Sequence, residues 1–130
     1  MTAPPARFKD LAMDAVDHQA LADWWCAVLG YERRAAAGGG EVPAHWPVAI
    51  HDPSGQGPLI WFNPVPEPKS AKNRVHFDVW ADTGALLARG ARLLRRRDGG
   101  LDWDVLADPE GNEFCAFTPE PGPVVRPSVR

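Results

Sequence analysis

Positive charge is in short supply: fourteen Lys and Arg stand against seventeen Asp and Glu, a net charge of -3 over 130 residues. A chain that grips phosphate backbones by bulk electrostatics is basic, so nucleic acid is not an expected partner. Cysteine is scarce too. Cys26 and Cys115 lie far apart with no CxxC spacing, and such a pair is expected to be reduced and buried in a reducing compartment. No run approaches the roughly 18 apolar residues of a membrane span, and Met1-Thr2-Ala3-Pro4-Pro5 has no apolar stretch behind it. The reading is a cytoplasmic chain with no membrane partner, of a length suited to one domain, residues 1–130, with a real core.

What the chain does have is a repeat. Asp52-Pro53-Ser54-Gly55-Gln56, followed by the apolar Leu59-Ile60-Trp61-Phe62, returns as Asp108-Pro109-Glu110-Gly111-Asn112, followed by Phe114-Cys115-Ala116-Phe117. Proline sets φ, glycine supplies a positive φ, and apolar runs on both sides make each copy a hairpin. A weaker echo links Asp17 and Leu21 to Asp82 and Leu86. Asp17 is placed to cap a helix with Leu21, Trp25, Val28 and Leu29 on one face and Gly30 at its end. A second helix is expected over 83–94, with Leu86, Leu87, Ala91 and Leu94 on one side and Gly84 and Gly90 weakening it.

Strands are expected near 8–16, 31–37, 46–51 and 57–63, then near 73–80, 94–98, 102–107 and 112–117, so that each half reads β-α-β-β-β. The proline-rich 64–72 joins module one, about 7–63, to module two, about 73–118; the tail 119–130 carries four prolines and reads as extended. Alternation along a strand sorts the faces. Val75, Phe77 and Val79 form an apolar face for a helix to cover, leaving His76, Asp78 and Trp80 opposite. By the same parity Phe114 and Ala116 lie under the helix, and Glu113, Cys115 and Phe117 opposite.

These features together, the Asp108-Pro109-Glu110-Gly111-Asn112 hairpin, the strand Asn73-Arg74-Val75-His76-Phe77-Asp78 and the helix Leu21-Ala22-Asp23-Trp24-Trp25 ending at Leu29-Gly30, resemble the vicinal oxygen chelate superfamily in its glyoxalase-like, bleomycin-resistance-like branch. The resemblance spans about residues 7 to 118. It implies an α+β fold in which two βαβββ modules form a curved mixed sheet with a concave cavity. Metal-using members place four ligands on that concave face, two per half, from first and last strands. The first-strand position of the second half matches His76, an imidazole suited to Zn, Ni, Fe or Mn. The last-strand position, usually a Glu four residues after the turn glycine, falls on Cys115, with Glu113 two residues earlier; in the first half the counterparts are Asp10 or Leu11, and Leu59.

A catalytic divalent site normally takes about three protein ligands, and one matched position does not support glyoxalase I or extradiol dioxygenase chemistry. No cofactor is favoured; the alternative is a divalent metal on His76 with Cys115, Glu113 or Asp10. Six tryptophans ask for an explanation. Trp25 suits a helix core, Trp61 and Trp80 suit a concave wall, and Trp46 and Trp103 lie near strand starts. An aromatic cup of this kind binds a flat or apolar molecule, oriented by His76, Asp78 and Glu113, with Trp61, Trp80, Cys115 and Phe117 also lining it. His18, His45 and His51 read as surface residues, and Arg92, Arg95, Arg96 and Arg97 as a solvated edge. The favoured function is binding of a small molecule. The alternatives are a lyase, isomerase or dioxygenase-type enzyme with His76 as metal ligand or as general base, Glu113 assisting, and a noncatalytic interaction domain. The resemblance also implies a homodimer.

Overall fold

Backbone chemistry sets the element boundaries in the computed structural model, which describes residues 2–98, 100 and 102–118; the tail read as extended lies outside them. The chain divides into two units, Met1–Lys69 and Ser70–Arg130. In the first, β1 (Leu11–Ala15) leads into α1 (His18–Leu29), followed by β2 (Glu32–Arg33), β3 (Val48–His51) and β4 (Ile60–Pro64). The second unit holds β5 (Asp78–Trp80), α2 (Thr83–Ala88), β6 (Arg92–Arg95), β7 (Trp103–Ala107) and β8 (Glu113–Phe117). Each unit is one four-stranded mixed sheet, ordered β1-β4-β3-β2 and β5-β8-β7-β6. In both, the first strand pairs in parallel with the last, and the remaining pairs are antiparallel. This is the α+β, twice-βαβββ architecture that the repeat implies.

The first helix forms as its sequence dictates. Asp17 accepts a hydrogen bond from Ala20 N at 3.1 Å, and Gly30 closes the helix at φ 72° with its N–H donating to Cys26 O. Leu21, Ala22 and Trp25 are buried, and α1 packs on β3 and β4, whose Ile50, Ile60 and Phe62 complete the core. Burying side chains of this size contributes roughly 1.5–3 kcal/mol each. His18, read as a surface residue, is instead 6% exposed, because its Nε2–H donates to Trp46 O at 2.9 Å and so pins a loop over the helix start.

The second unit departs from expectation at three places. Its helix stops at Ala88, not near residue 94: Arg89 is non-helical and Gly90 has φ 102°, so Ala91 and Leu94 belong to the lead-in and body of β6. The strand expected over 73–80 joins the ladder only at Asp78, since Asn73 N donates to the Glu113 carboxylate at 2.9 Å and not to a strand. Val75, outside the ladder, is 78% exposed and is not covered by the helix. The strand expected over 94–98 runs over Arg92–Arg95, because Arg97 N turns to the buried Asp104 carboxylate at 2.6 Å. The Thr83 hydroxyl, followed by Arg97, holds Asp104 down to about 2. Arg97, half-buried, is thus tied to the buried Asp104 carboxylate, unlike the solvated edge the sequence suggested.

The two hairpins differ in length. Both turns close on an aspartate side chain, Asp52 accepting from Ser54 N and Gly57 N, Asp108 from Glu110 N and Asn112 N, and both need the positive φ of Gly55 and Gly111. Yet Ile50 pairs with Ile60, whereas its equivalent Leu106 pairs with Phe114. The first turn therefore holds two extra residues. Among the described residues, no helix is long and apolar enough to cross a membrane.

Candidate functional site

The face of the second sheet turned away from α2 carries two rows of side chains. Trp80 pairs with Phe117 and Phe117 with Trp103, so three strands set three aromatic rings side by side. Trp80 and Phe117 centroids are 6.0 Å apart and those of Trp103 and Phe117 5.2 Å, within the range of favourable aromatic pairs. Trp80 is 63% exposed. With Asp78, Val79 and Phe117 it lines an open cleft of about 240 Å³.

The next row is polar. Asp78 pairs with Cys115 and Cys115 with Val105, and His76 reaches the same place from two residues earlier. Cys115 Sγ lies 3.9 Å from His76 Nδ1, which lies 3.3 Å from Asp78 Oδ1. One imidazole nitrogen, one sulfur and one carboxylate oxygen thus fall within 4.8 Å of one another, Cys115 buried and the other two exposed. Burial first, then the charge and hydrogen bond of Asp78, push the Cys115 thiol up, against a weaker pull from Lys72. Without a metal, the sulfur is a protonated thiol near neutrality.

The donor types, an imidazole, a thiol and a carboxylate within 4.8 Å of one another, are those a divalent ion takes. Tetrahedral Zn²⁺ with bonds of roughly 2.0–2.3 Å places neighbouring ligand atoms about 3.4–3.6 Å apart, close to the two separations observed. Cys115 would hold such an ion as its thiolate, so binding there would release the thiol proton and would weaken as the pH falls.

The other candidates lie elsewhere. Glu113 sits on β8, its carboxylate accepting from Asn73 N. Asp10 and Trp61 belong to the first unit, where Trp61 Nε1–H donates to Asp10 Oδ2 at 3.0 Å and Lys9 pairs with the same oxygen at 2.7 Å. Registers decide which positions correspond. Because of the longer turn, the equivalent of Cys115 is Trp61, not Leu59; since Ala12 pairs with Trp61 as Asp78 does with Cys115, Asp10 and not Leu11 answers to His76. Two site features escaped the sequence reading: Trp103 as part of the aromatic row, which follows from the cross-strand register of Phe117, and Asp78 as a metal-ligand candidate, since it was read only as a cavity residue beside His76 and Cys115.

Two βαβββ units, each with its first strand parallel to its last and a polar-aromatic face opposite the helix, define the class. The glyoxalase-like domain profile matches residues 10–117, so the chain belongs to the glyoxalase-like domain family, within the vicinal oxygen chelate superfamily. Solved structures share the fold at low identity. The fosfomycin resistance protein FosX of Mesorhizobium loti is 11% identical with a TM-score of 0.62, over 88% of this chain and 92% of that one. The trypanothione-dependent glyoxalase I of Leishmania major is 14% identical with a TM-score of 0.58, over 87% and 86%. The hypothetical protein SA1046 of S. aureus is 10% identical with a TM-score of 0.60, over 88% and 95%. No curated protein matches the sequence.

The state of the thiol is open to a direct check. In a Cys26→Ser background, the pH midpoint for alkylation of Cys115 by iodoacetamide lies above the ordinary thiol range, and Asp78→Asn moves it down. A midpoint indifferent to Asp78→Asn contradicts the electrostatic account.

Proposed function

We propose that the chain binds a small, flat, largely apolar molecule against the aromatic row of its second unit, with Asp78 and its neighbours His76 and Cys115 orienting a polar end. The observation that carries this reading is the cleft lined by Asp78, Val79, Trp80 and Phe117. Apolar walls with a few convergent polar groups are what small-molecule sites share. At about 240 Å³ the cleft lies below the roughly 300 Å³ at which drug-sized sites begin, and it suits one or two fused rings. Neighbours of this fold include both a resistance protein and a glyoxalase I, so fold alone does not choose between binding and chemistry. The residues favour binding, because the first unit has Trp61 at the position answering to Cys115, and an indole is not a metal ligand. Free thiols at both cysteines suit a reducing cytoplasm.

Calorimetric titration with naphthalene-2-carboxamide tests it. Saturable binding is expected, weakened about tenfold by Trp80→Ala, the size of loss an aromatic contact supports. Affinity undiminished in that variant contradicts the reading. Because Trp80 is exposed, the substitution leaves the core alone.

The three-donor triangle favours a second reading, a metal-assisted lyase or isomerase. His76, Asp78 and Cys115 would hold the ion, which when bound polarises a substrate carbonyl as a Lewis acid. On this reading, protein dialysed against Zn²⁺ or Co²⁺ retains one ion, with a thiolate-to-cobalt absorption band that vanishes in Cys115→Ser, and His76→Ala also loses the ion. Asp10→Asn retains it. Metal content unaffected by Cys115→Ser sinks it.

A further inference from the structure

The first unit carries a larger cleft, about 490 Å³, on the face of its sheet opposite α1. Its floor and walls follow from the ladder. Trp61 pairs with Ala49 across β4 and β3, and Arg34 N donates to Ala49 O at 2.8 Å, so a large ring, a methyl group and a guanidinium stem stand in one row. Ala49, buried, lines the cleft beside Trp61. Val42 and Trp46 close another side.

The two arginines lining this cleft are not equivalent. Arg33 faces α1, where its Nε donates to Asp23 Oδ1 at 2.9 Å, its Nη1 to Gln19 Oε1 at 2.8 Å and its Nη2 to Gln19 O at 3.0 Å. Those contacts engage all three nitrogens of its guanidinium. Arg34, one residue on, turns to the other face by strand alternation, and among the described residues its guanidinium has no carboxylate partner. Lys9, which lies 6.0 Å from the Trp61 ring, is already neutralised by Asp10 at 2.7 Å. One uncommitted cation therefore borders two indoles.

The cleft is also held open before anything binds. The Asp10 carboxylate fixes the Trp61 indole. The loop bearing Trp46 is tied to α1 twice, through His18 Nε2–H to Trp46 O at 2.9 Å and Gln19 Nε2–H to Ala44 O at 3.0 Å. Preformed walls spare a ligand the entropy of ordering them.

We propose that this cleft is a second binding site, selective for a planar aromatic acid: the ring system lies against Trp61 and Trp46, and the carboxylate meets Arg34. A guanidinium matches a carboxylate with two parallel hydrogen bonds and is weakly hydrated, whereas the neutral amide of the same shape offers it one acceptor and no charge. The proposal rests on first-unit residues only, and either reading survives the failure of the other.

The test compares naphthalene-2-carboxylate with naphthalene-2-carboxamide on the full chain, following the ¹⁵N-labelled indole resonances of Trp46 and Trp61. Both residues belong to the first unit. The acid is expected to shift both saturably and about tenfold more tightly than the amide, as a charge-assisted pair near a partly screened surface supports. Arg34→Gln is expected to weaken the acid about tenfold, to the level of the amide, and so to erase that preference; Arg34 is exposed, so folding is not at stake. Equal affinities in the unaltered protein, an acid that leaves both indoles unmoved, or a preference that survives Arg34→Gln overturns the proposal.

Discussion

Parallel pairing between the first and last strand of each half brings together residues that the chain keeps far apart. In the second unit it sets Asp78 beside Cys115 and Trp80 beside Phe117; in the first it sets Ala12 beside Trp61. The three-donor cluster and the Asp10–Trp61 contact depend on those registers, because a slip of one residue turns side chains to the helix-covered face. Several contacts fix the register: Asp17 and Asp82 start the helices, the Asp52 and Asp108 turns align the last two strands, and buried Phe62, Phe114 and Ala116 allow only one face inward.

Within that shared frame the halves have diverged in chemistry. The second keeps an imidazole, a thiol and a carboxylate in mutual reach beneath an aromatic row. At the matching positions the first pairs a carboxylate with an indole N–H, a contact that satisfies both groups and leaves neither for a ligand ion. Its neighbouring surface is instead aromatic and cationic. The two clefts thus suit different molecules: a neutral or metal-bound one in the second unit, an anionic one in the first.

Much of this was legible in the sequence, and the reasons for the remainder are specific. The repeated Asp-Pro-x-Gly turn and the Asp17–Gly30 helix are written in local chemistry, so the βαβββ pattern and the family could be read directly. Alternation correctly put Phe114 and Ala116 inside and grouped His76, Asp78 and Cys115. It failed at Val75, where Glu113 takes a backbone N–H and the strand is not yet paired. It also failed at Leu59, because two extra residues in one turn change the partner of every later position. Trp103 and the burial of His18 depend on which distant strand or loop is opposite, and no local pattern encodes that.

The central claim, that the Trp80–Phe117–Trp103 row is a ligand-binding wall, is tested most directly by the ¹⁵N-labelled indole resonances of Trp80 and Trp103 during titration with naphthalene-2-carboxamide. The account predicts that Trp80, which lines the cleft with Phe117, moves saturably, and that Trp103, packed on Phe117 at 5.2 Å, follows at the same affinity. Resonances that stay fixed while the amide binds elsewhere would contradict it.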